Sequence, residues 1–215
     1  MKKLIFLLLF LSVLIFQNTY AQNYAAALKL SSIGITAEGI RSIDEDFNLR
    51  LGVSMFPFKY NGGGGTEDYK YTADLNLFAI SALVDWFPFK NFFRVTGGLV
   101  VNLNKIKAVA TPTETHIVGG DYYTPEKLGN MDVDIKMNKI APYLAVGIGN
   151  PLAGVKGLGY SVEIGAFYQG SPKVDLTASG LIEPSAAPDQ EELMESNLSW
   201  FKFYPVVSIG LTYKF

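Results

Sequence analysis

Hydrophobic and polar residues alternate with a period of two along most of the chain. In residues 47–55, Phe, Leu, Leu, Val and Met fall on one face of an extended chain, and Asn, Arg, Gly and Ser fall on the other. The same alternation recurs in residues 93–103, 158–169 and 201–215. Because successive side chains of a strand point to opposite faces, this pattern predicts half-buried β-strands. Weaker stretches predict further strands at about residues 27–41, 70–85 and 133–148. A bulge is expected near residues 138–139, where the alternation changes phase.

The pattern gives seven clear strands, joined by alternating short and long connections. An antiparallel barrel with both termini on one side needs an even number of strands, and eight is the smallest usual size. We therefore predict eight strands, the eighth being the first part of residues 22–41 or residues 173–178. Short connections lie near residues 42–46, 88–91 and 150–157. Long connections lie near residues 59–69, 105–132 and 170–199, the last with a short acidic helix that begins at Pro188.

Alternation fits either a water-soluble sandwich or lipocalin-like barrel, with its apolar face inward, or a transmembrane barrel, with its apolar face outward. The polar faces are rich in Gly, Ser, Thr and Asn, and charged residues make up only 18% of the chain. A soluble surface normally carries more Lys and Glu. The sequence therefore predicts an all-β fold: a single antiparallel transmembrane β-barrel of eight strands, with short periplasmic turns and longer external loops.

Large aromatic residues concentrate where strands end. Five of them surround one short turn: Trp86, Phe87, Phe89, Phe92 and Phe93. Phe47 opens a strand that Phe56 and Phe58 close, and this separation corresponds to about 25 Å for a tilted strand. The five residues of the turn, together with Phe56 and Phe58, are predicted to form a membrane-interface aromatic girdle, since aromatic rings favour the headgroup level. The alternative is a small hydrophobic core beneath a soluble loop.

The N-terminus has the pattern of a secretory signal peptide. Lys2 and Lys3 precede an apolar run from Leu4 to Phe16, and a polar stretch then ends in small residues up to Ala21. This arrangement predicts cleavage after Ala21, so that residues 1–21 are a signal peptide and residues 22–215 the barrel domain. A retained membrane anchor is the alternative, but the run is short for a span of about 20 residues. The predicted location is the bacterial outer membrane.

Composition excludes several kinds of chemistry. The chain has no cysteine, one histidine and a formal net charge of −2. We therefore predict no metal site, no cofactor and no nucleic-acid partner. His116 lies near Glu114 in a polar loop, and a lipid-modifying barrel enzyme is the remote function that would use it. Because no nucleophile accompanies this pair, we predict that the protein is not an enzyme.

A few charged residues fall on the predicted lumen faces: Arg50, Asp74, Arg94, Glu163 and Lys202. In an eight-stranded barrel the interior is little wider than its side chains. These residues are therefore predicted to form a salt-bridged lumen network that fills the barrel. The alternative is a polar constriction that gates a small solute.

Two stretches resemble known barrels. FYPVVSIGLTYKF at residues 203–215 resembles the closing strand of small outer-membrane barrels of the OmpW and OmpA-like type, and APYLAVGIG at residues 141–149 resembles a strand common in them. The resemblance implies that Leu211, Tyr213 and Phe215 form the signal read by the barrel-assembly machinery. It also implies outer-membrane lipids and lipopolysaccharide as partners. A structural or surface-interaction role is predicted; the OmpW resemblance implies as alternative a narrow pore or conduit for small hydrophobic solutes.

Overall fold

A computed structural model describes residues 23–63, 68–118, 121–182 and 188–215. The strands are β1 (Tyr24–Ser31), β2 (Gly34–Ser42), β3 (Phe47–Gly63), β4 (Tyr69–Trp86), β5 (Phe93–Asn102), β6 (Lys105–Pro112), β7 (His116–Val118), β8 (Asp121–Tyr123), β9 (Met131–Lys136), β10 (Ile140–Ile148), β11 (Gly157–Tyr168), β12 (Lys173–Ala178) and β13 (Phe203–Lys214). The helices are α1 (Pro125–Leu128) and α2 (Pro188–Asn197). Within these ranges no helix is long and apolar enough to cross a membrane. The predicted signal peptide lies outside the described residues.

Eight strands pair antiparallel in a ring, in the order β1, β2, β3, β4, β5, β10, β11, β13 and back to β1. The predicted count of eight is confirmed. Residues 24–42 supply two ring strands rather than one, because the chain reverses at Ser32 and Ile33. Residues 173–178 do form a strand, β12, but it lies outside the ring.

The two ends of the ring differ. We call the end with the turns after β2, β4 and β10 the short-turn end, and the opposite end, with the connections after β3, β5 and β11, the long-loop end. Both β1 and β13 have their outer termini at the short-turn end, where the Phe215 amide donates to the Tyr24 carbonyl over 3.1 Å. From β2 onwards this arrangement agrees with the predicted alternation of short and long connections, whereas the two-residue turn between β1 and β2 is short and lies at the long-loop end.

The sheet that forms the ring continues beyond its long-loop end. β3 and β4, of 17 and 18 residues, continue as a ribbon beyond the ring. β4 pairs with β5 over Ala79–Trp86 but with β6 over Tyr69–Asn76, and β9 and β12 follow β6. We call β6, β9, β12 and the ribbon the extension sheet. The predicted single strand over residues 133–148 is wrong, because β9 belongs to the extension sheet and β10 to the ring; the phase change marks this transfer and not a bulge.

The outer wall of the ring is apolar, and the buried polar and charged side chains of its strands point inward. On β1, Leu28 is 62% exposed and the neighbouring Lys29 only 2%. On β13, Ile209 is exposed whereas Ser208 and Thr212 are buried. A soluble barrel has the reverse arrangement, so the apolar outer wall agrees with the transmembrane prediction.

The extension sheet has one apolar and one charged face. Cross-strand neighbours on its charged face form ion pairs: Lys59 with Asp74 at 3.2 Å, Lys107 with Asp134 at 3.3 Å, and Lys136 with Asp175. The opposite face continues the inward phase of the ring and carries Leu75, Val133 and Val174. The first two pairs lie directly opposite each other, whereas Lys136 with Asp175 is a diagonal pair. Opposite charges directly across a sheet stabilise strand pairing, so the direct pairs favour the β3–β4 and β6–β9 neighbours.

Candidate functional site: the interior of the ring

Buried charged side chains meet inside the ring near the short-turn end. They come from six different elements: Lys29 on β1, Glu38 on β2, Arg50 on β3, Asp85 on β4, Arg94 on β5 and Glu163 on β11. Each occupies an inward position of its strand, between outward apolar neighbours. Because the strands surround a common axis, inward residues at the same height converge although they are far apart in sequence.

Glu163 is the centre of this charge cluster. Its Oε2 accepts hydrogen bonds from Arg50 Nη2 at 2.7 Å and from Arg94 Nη2 at 2.8 Å. Its Oε1 accepts a hydrogen bond from the Tyr143 hydroxyl at 2.7 Å. Charge-assisted bonds of this length are the strong class, and Glu163 links three other strands through them.

The remaining carboxylates complete the charge cluster. Asp85 lies 3.3 Å from Arg50 Nη2 and accepts a hydrogen bond from the Thr96 hydroxyl at 2.7 Å. Glu38 lies 2.8 Å from Lys29 Nζ and 3.5 Å from Arg50 Nη1. Three cations therefore face three carboxylates, and the cluster is electrically balanced. Such balance is what burial demands, because an unpaired charge in a low-dielectric interior is expensive.

Arg94 also fixes the backbone beneath the charge cluster. Its Nη1 donates to the Gly149 carbonyl at 2.5 Å, and its Nη2 donates to the Ser161 hydroxyl at 2.9 Å. A Cβ added at Gly147 would lie 2.7 Å from the Val162 carbonyl oxygen and 3.1 Å from Arg94 Nη2. Glycine at this position therefore leaves room for β11 and for the guanidinium beside β10.

Above the charge cluster, towards the long-loop end, the interior is mostly apolar, with one buried polar pair in which Asn102 Nδ2 donates to Gln169 Oε1 at 3.3 Å. The buried apolar residues there are Ile33, Leu77, Leu83, Val100, Phe167 and Val206, and Phe167 stacks on Tyr204 with ring centroids 5.0 Å apart. Between this layer and the charge cluster lies a cavity of about 40 Å³, lined by hydroxyls such as those of Thr36 and Ser54 as well as by Lys29. Apolar side chains such as Val100 and Phe167 also line it, and a cavity of this size has room for water but not for a larger solute.

Below the charge cluster, the short-turn end is also filled. Phe87 is fully buried, and Leu152 in the turn after β10 packs against Ala25, Ala27 and Ile40. Lys214 Nζ holds that turn by donating to the carbonyls of Leu152 and Gly154, each at 2.7 Å. The interior thus has an apolar layer at each end, with the charge cluster between them.

Of the five predicted lumen residues, the structure brings together Arg50, Arg94 and Glu163. Asp74 does not join them: it lies on the outward-phase face of the extension sheet, paired with Lys59. The inward acid of β4 is Asp85, so the predicted phase of this strand was wrong by one residue. Lys202 lies before β13 begins, where its carbonyl accepts the Gln169 amide at 2.9 Å, so its backbone is at the long-loop end and outside the charge cluster.

Three members of the charge cluster were missed by the sequence reasoning: Lys29, Glu38 and Asp85. The first two belong to β1 and β2, which the pattern had merged into one strand. A signal was nevertheless present for Lys29, which is the single charge of β1, whereas β2 also carries Arg41 and β4 also carries Lys70 and Asp74. A single charge of this kind is expected to face inward in a transmembrane barrel.

The structure separates the predicted girdle residues. Trp86, Phe89 and Phe92 are exposed at the short-turn end, and Phe93 is half-buried beside them. Phe87 is not at the surface, because it continues the inward phase of Asp85 and folds under the ring. Phe56 and Phe58 are exposed but share the inward phase of Arg50, on the ribbon at the opposite end. At that end the outer wall carries an exposed pair of aromatic side chains, Tyr168 and Phe203, whose ring centroids are 5.2 Å apart.

The predicted assembly residues lie at the end of the chain. Leu211 and Tyr213 belong to β13, which pairs with β1 and so connects the last ring strand to the first, and Phe215 follows it. Leu211 and Tyr213 point outward on β13, and the Tyr213 ring contacts Phe215 at 5.4 Å between centroids. Their role in assembly stays a prediction. His116 begins the separate hairpin of β7 and β8, where its backbone is opposite Tyr123.

Comparison with known proteins shows the fold. No protein-family model matches the chain, and no curated protein matches its sequence. Among solved structures, CarO of Acinetobacter baumannii matches with a TM-score of 0.58 and 18% identity, over 90% of this chain and 98% of that one. CarO2 of the same organism matches with a TM-score of 0.60 and 19% identity, over the same shares. At this identity the likeness concerns the fold alone: the chain shares the β-barrel fold of these two proteins.

Proposed function

We propose that the protein is an integral outer-membrane β-barrel with a structural or surface-interaction role and an interior closed to solutes. The observation that carries this proposal is the charge cluster, in which three buried cations and three buried carboxylates from six strands neutralise one another. Its members occupy the space that a conducting pore would need to leave open.

The outer wall supports insertion into a membrane. On β13 the outward residues Phe203, Val207, Ile209, Leu211 and Tyr213 are all exposed and apolar or aromatic. From Phe203 to Tyr213, a tilted strand rises about 25 Å, which is the height of the apolar band of outer-membrane barrels. An exposed wall of this kind is stable in lipid and not in water. The expected signal peptide fits the same destination.

The energetics of the charge cluster favour a permanently closed interior. A solute that passed through would have to separate Glu163 from Arg50 and Arg94, and each separated charge would remain buried without its partner. Breaking a buried ion pair in this way costs about 3–5 kcal/mol. The apolar layers on both sides would also have to open. The pore that the OmpW resemblance implies is therefore the alternative, and the experiment below distinguishes the two.

Conductance across a planar lipid bilayer tests the proposal. The refolded protein is expected to give no steady single-channel current. Insertion is verified separately by flotation with lipid vesicles and by protection of the ring strands from trypsin, so that absence of current is not absence of protein. Steady conductance from inserted protein would contradict the closed interior and favour the narrow pore.

The C-terminal residues are proposed to guide assembly. Leu211, Tyr213 and Phe215 would be read by the barrel-assembly machinery, as the resemblance to OmpW and OmpA-like barrels implies. Outer-membrane lipids and lipopolysaccharide would then surround the wall. The extension sheet stands beyond the long-loop end, and it is the part of the molecule available for contacts outside the membrane.

A further inference from the structure

The free edge of the extension sheet is covered in an unusual way. Among the described residues, β12 is the last strand of the sheet, and only one of its two edges pairs with another strand, β9. The other edge faces α2. An end strand presents unpaired amide and carbonyl groups and is a ready template for a further strand.

Two carboxylates of α2 take the place of a neighbouring strand. Glu191 Oε1 accepts the Leu176 amide at 2.8 Å, and Glu195 Oε1 accepts the Val174 amide at 3.1 Å. Glu195 Oε2 also lies 2.7 Å from Lys173 Nζ. Val174 and Leu176 are the alternate residues whose amides a pairing strand would bind. The helix therefore occupies the hydrogen-bonding positions of a missing strand.

The helix is held by these polar contacts and not by a hydrophobic face. None of its residues is buried, and its most apolar residue, Leu193, is exposed. Helices in globular proteins gain most of their stability from packing an apolar face. Because α2 lacks one, a competitor that supplies equivalent acceptors has little packing energy to overcome.

We propose that β12 is a strand-addition site which α2 masks in this structure, and that its external partner is an extended acidic segment of another protein. The partner's carbonyls would replace the two carboxylate oxygens as acceptors for Val174 and Leu176. An acidic side chain opposite Lys173 would replace the charge of Glu195, and apolar residues between the acidic ones would lie beside Val174 and Leu176, which are buried. This inference rests on the surface-interaction part of the proposed function, and peptide binding is measured independently of conductance.

Binding of a synthetic peptide tests the inference. The probe is an acetylated and amidated hexapeptide of alternating Val and Glu, titrated against the full chain in detergent micelles. The variant Glu191→Ala with Glu195→Ala removes both acceptors. Its matched control, Asp189→Ala with Glu192→Ala, removes the same charge from the same helix but neither contact with a β12 amide.

The first variant is expected to bind the peptide at least about tenfold more tightly than the unmodified protein, since two hydrogen bonds that mask the edge are gone. The control is expected to bind like the unmodified protein, and a Val-Lys hexapeptide is expected not to bind. Hydrogen exchange at the Val174 and Leu176 amides should accelerate at least about tenfold in the first variant and slow again when the peptide is added. Each single variant should give an intermediate affinity, which keeps the test valid if the double variant folds poorly.

Three outcomes would overturn the inference. Equal affinity in all proteins would show that α2 does not compete for the edge. No binding to the first variant would show that β12 does not accept an added strand. Dimerisation of the first variant in the absence of peptide would assign the edge to a second copy of this chain instead of an acidic partner.

Discussion

At the scale of single residues, Glu163 is the carboxylate that joins both arginines of the charge cluster. It accepts hydrogen bonds from Arg50, Arg94 and Tyr143. Glu163→Gln keeps the shape of the side chain but leaves three cations facing two carboxylates. We expect the free energy of unfolding, measured by urea titration in lipid vesicles, to fall by about 3–5 kcal/mol, as for other broken buried pairs. Glu45→Gln is the matched control, because Glu45 is paired with Lys90 but is 86% exposed, and it should leave that free energy unchanged. Equal effects of the two changes would contradict a structural role for the charge cluster.

Phe87 and Phe89 lie two residues apart in one turn but in opposite environments. Phe87 is 1% exposed inside the ring and Phe89 is 68% exposed at the surface. Phe87→Ala is expected to lower the free energy of unfolding by about 3–5 kcal/mol, because it removes a large buried ring and leaves a cavity. Phe89→Ala should cost much less in the same vesicle titration. If Phe89→Ala lowered the free energy of unfolding more than Phe87→Ala, contacts between the outer wall and lipid would contribute more to stability than the buried apolar residues at the short-turn end.

The charged residue of β4 that points into the ring could not be predicted from the alternation of apolar and polar residues. Arg50 and Arg94 lie in strands with one clearly polar face, and their inward placement follows from the alternation. β4 is apolar on both faces, with Leu77 and Leu83 inward and Val84 outward. Alternation therefore could not fix its phase, and a slip of one residue exchanges Asp85 for Asp74.

At the scale of elements, the docking of α2 on β12 is expected to depend on pH. A hydrogen bond from Lys173 and another from the Val174 amide hold the pKa of Glu195 below its usual value near 4.5, against smaller opposing effects of desolvation and of Asp175. A carboxyl group whose pKa is lowered on docking stabilises the docked state above its usual pKa, and this stability is lost as the pH falls through the lowered value. We expect α2 to stay docked at pH 7 and to be released progressively below about pH 4.5.

Hydrogen exchange at the Val174 amide, followed from pH 7 to pH 3 and corrected for the intrinsic rate, measures this release. Protection should fall as the carboxyl group takes up its proton. In Glu195→Gln the pH dependence should be much weaker, although the amide oxygen still accepts the hydrogen bond. Protection that stays constant to pH 3 in the unmodified protein would contradict a carboxylate-held helix.

Some elements could be predicted and others could not. The acidic helix was expected from Pro188 and the residues after it, and α2 begins there. The sequence did not indicate that two of its glutamates would bind the edge of β12, because that contact depends on a sheet outside the ring. The extension sheet itself was missed, since β6 and β12 alternate like any other strand and nothing local distinguishes their partners.

At the scale of the whole molecule, the ring depends on pairing between the first and the last strand. In β1 and β13, Leu28 lies directly opposite Leu211, and both side chains point outward. Opposite residues in an antiparallel pair have Cα atoms about 4.5–5.5 Å apart, within the range that a disulfide spans. Because the chain has no cysteine, a pair of introduced cysteines reports on this contact alone.

Leu28→Cys with Leu211→Cys is therefore expected to form an intramolecular disulfide after folding in vesicles, seen as a change in electrophoretic mobility that reductant reverses. Leu28→Cys with Val207→Cys is the control. Val207 is exposed on the same face but lies four residues away along β13, about 13 Å from the paired position, which is too far for a disulfide. Efficient cross-linking of the control, or none in the first pair, would show that β1 and β13 do not meet in this register. Since the charge cluster needs Lys29 and Glu38 beside Arg50 and Glu163, the same result would also remove the geometry on which the closed interior depends.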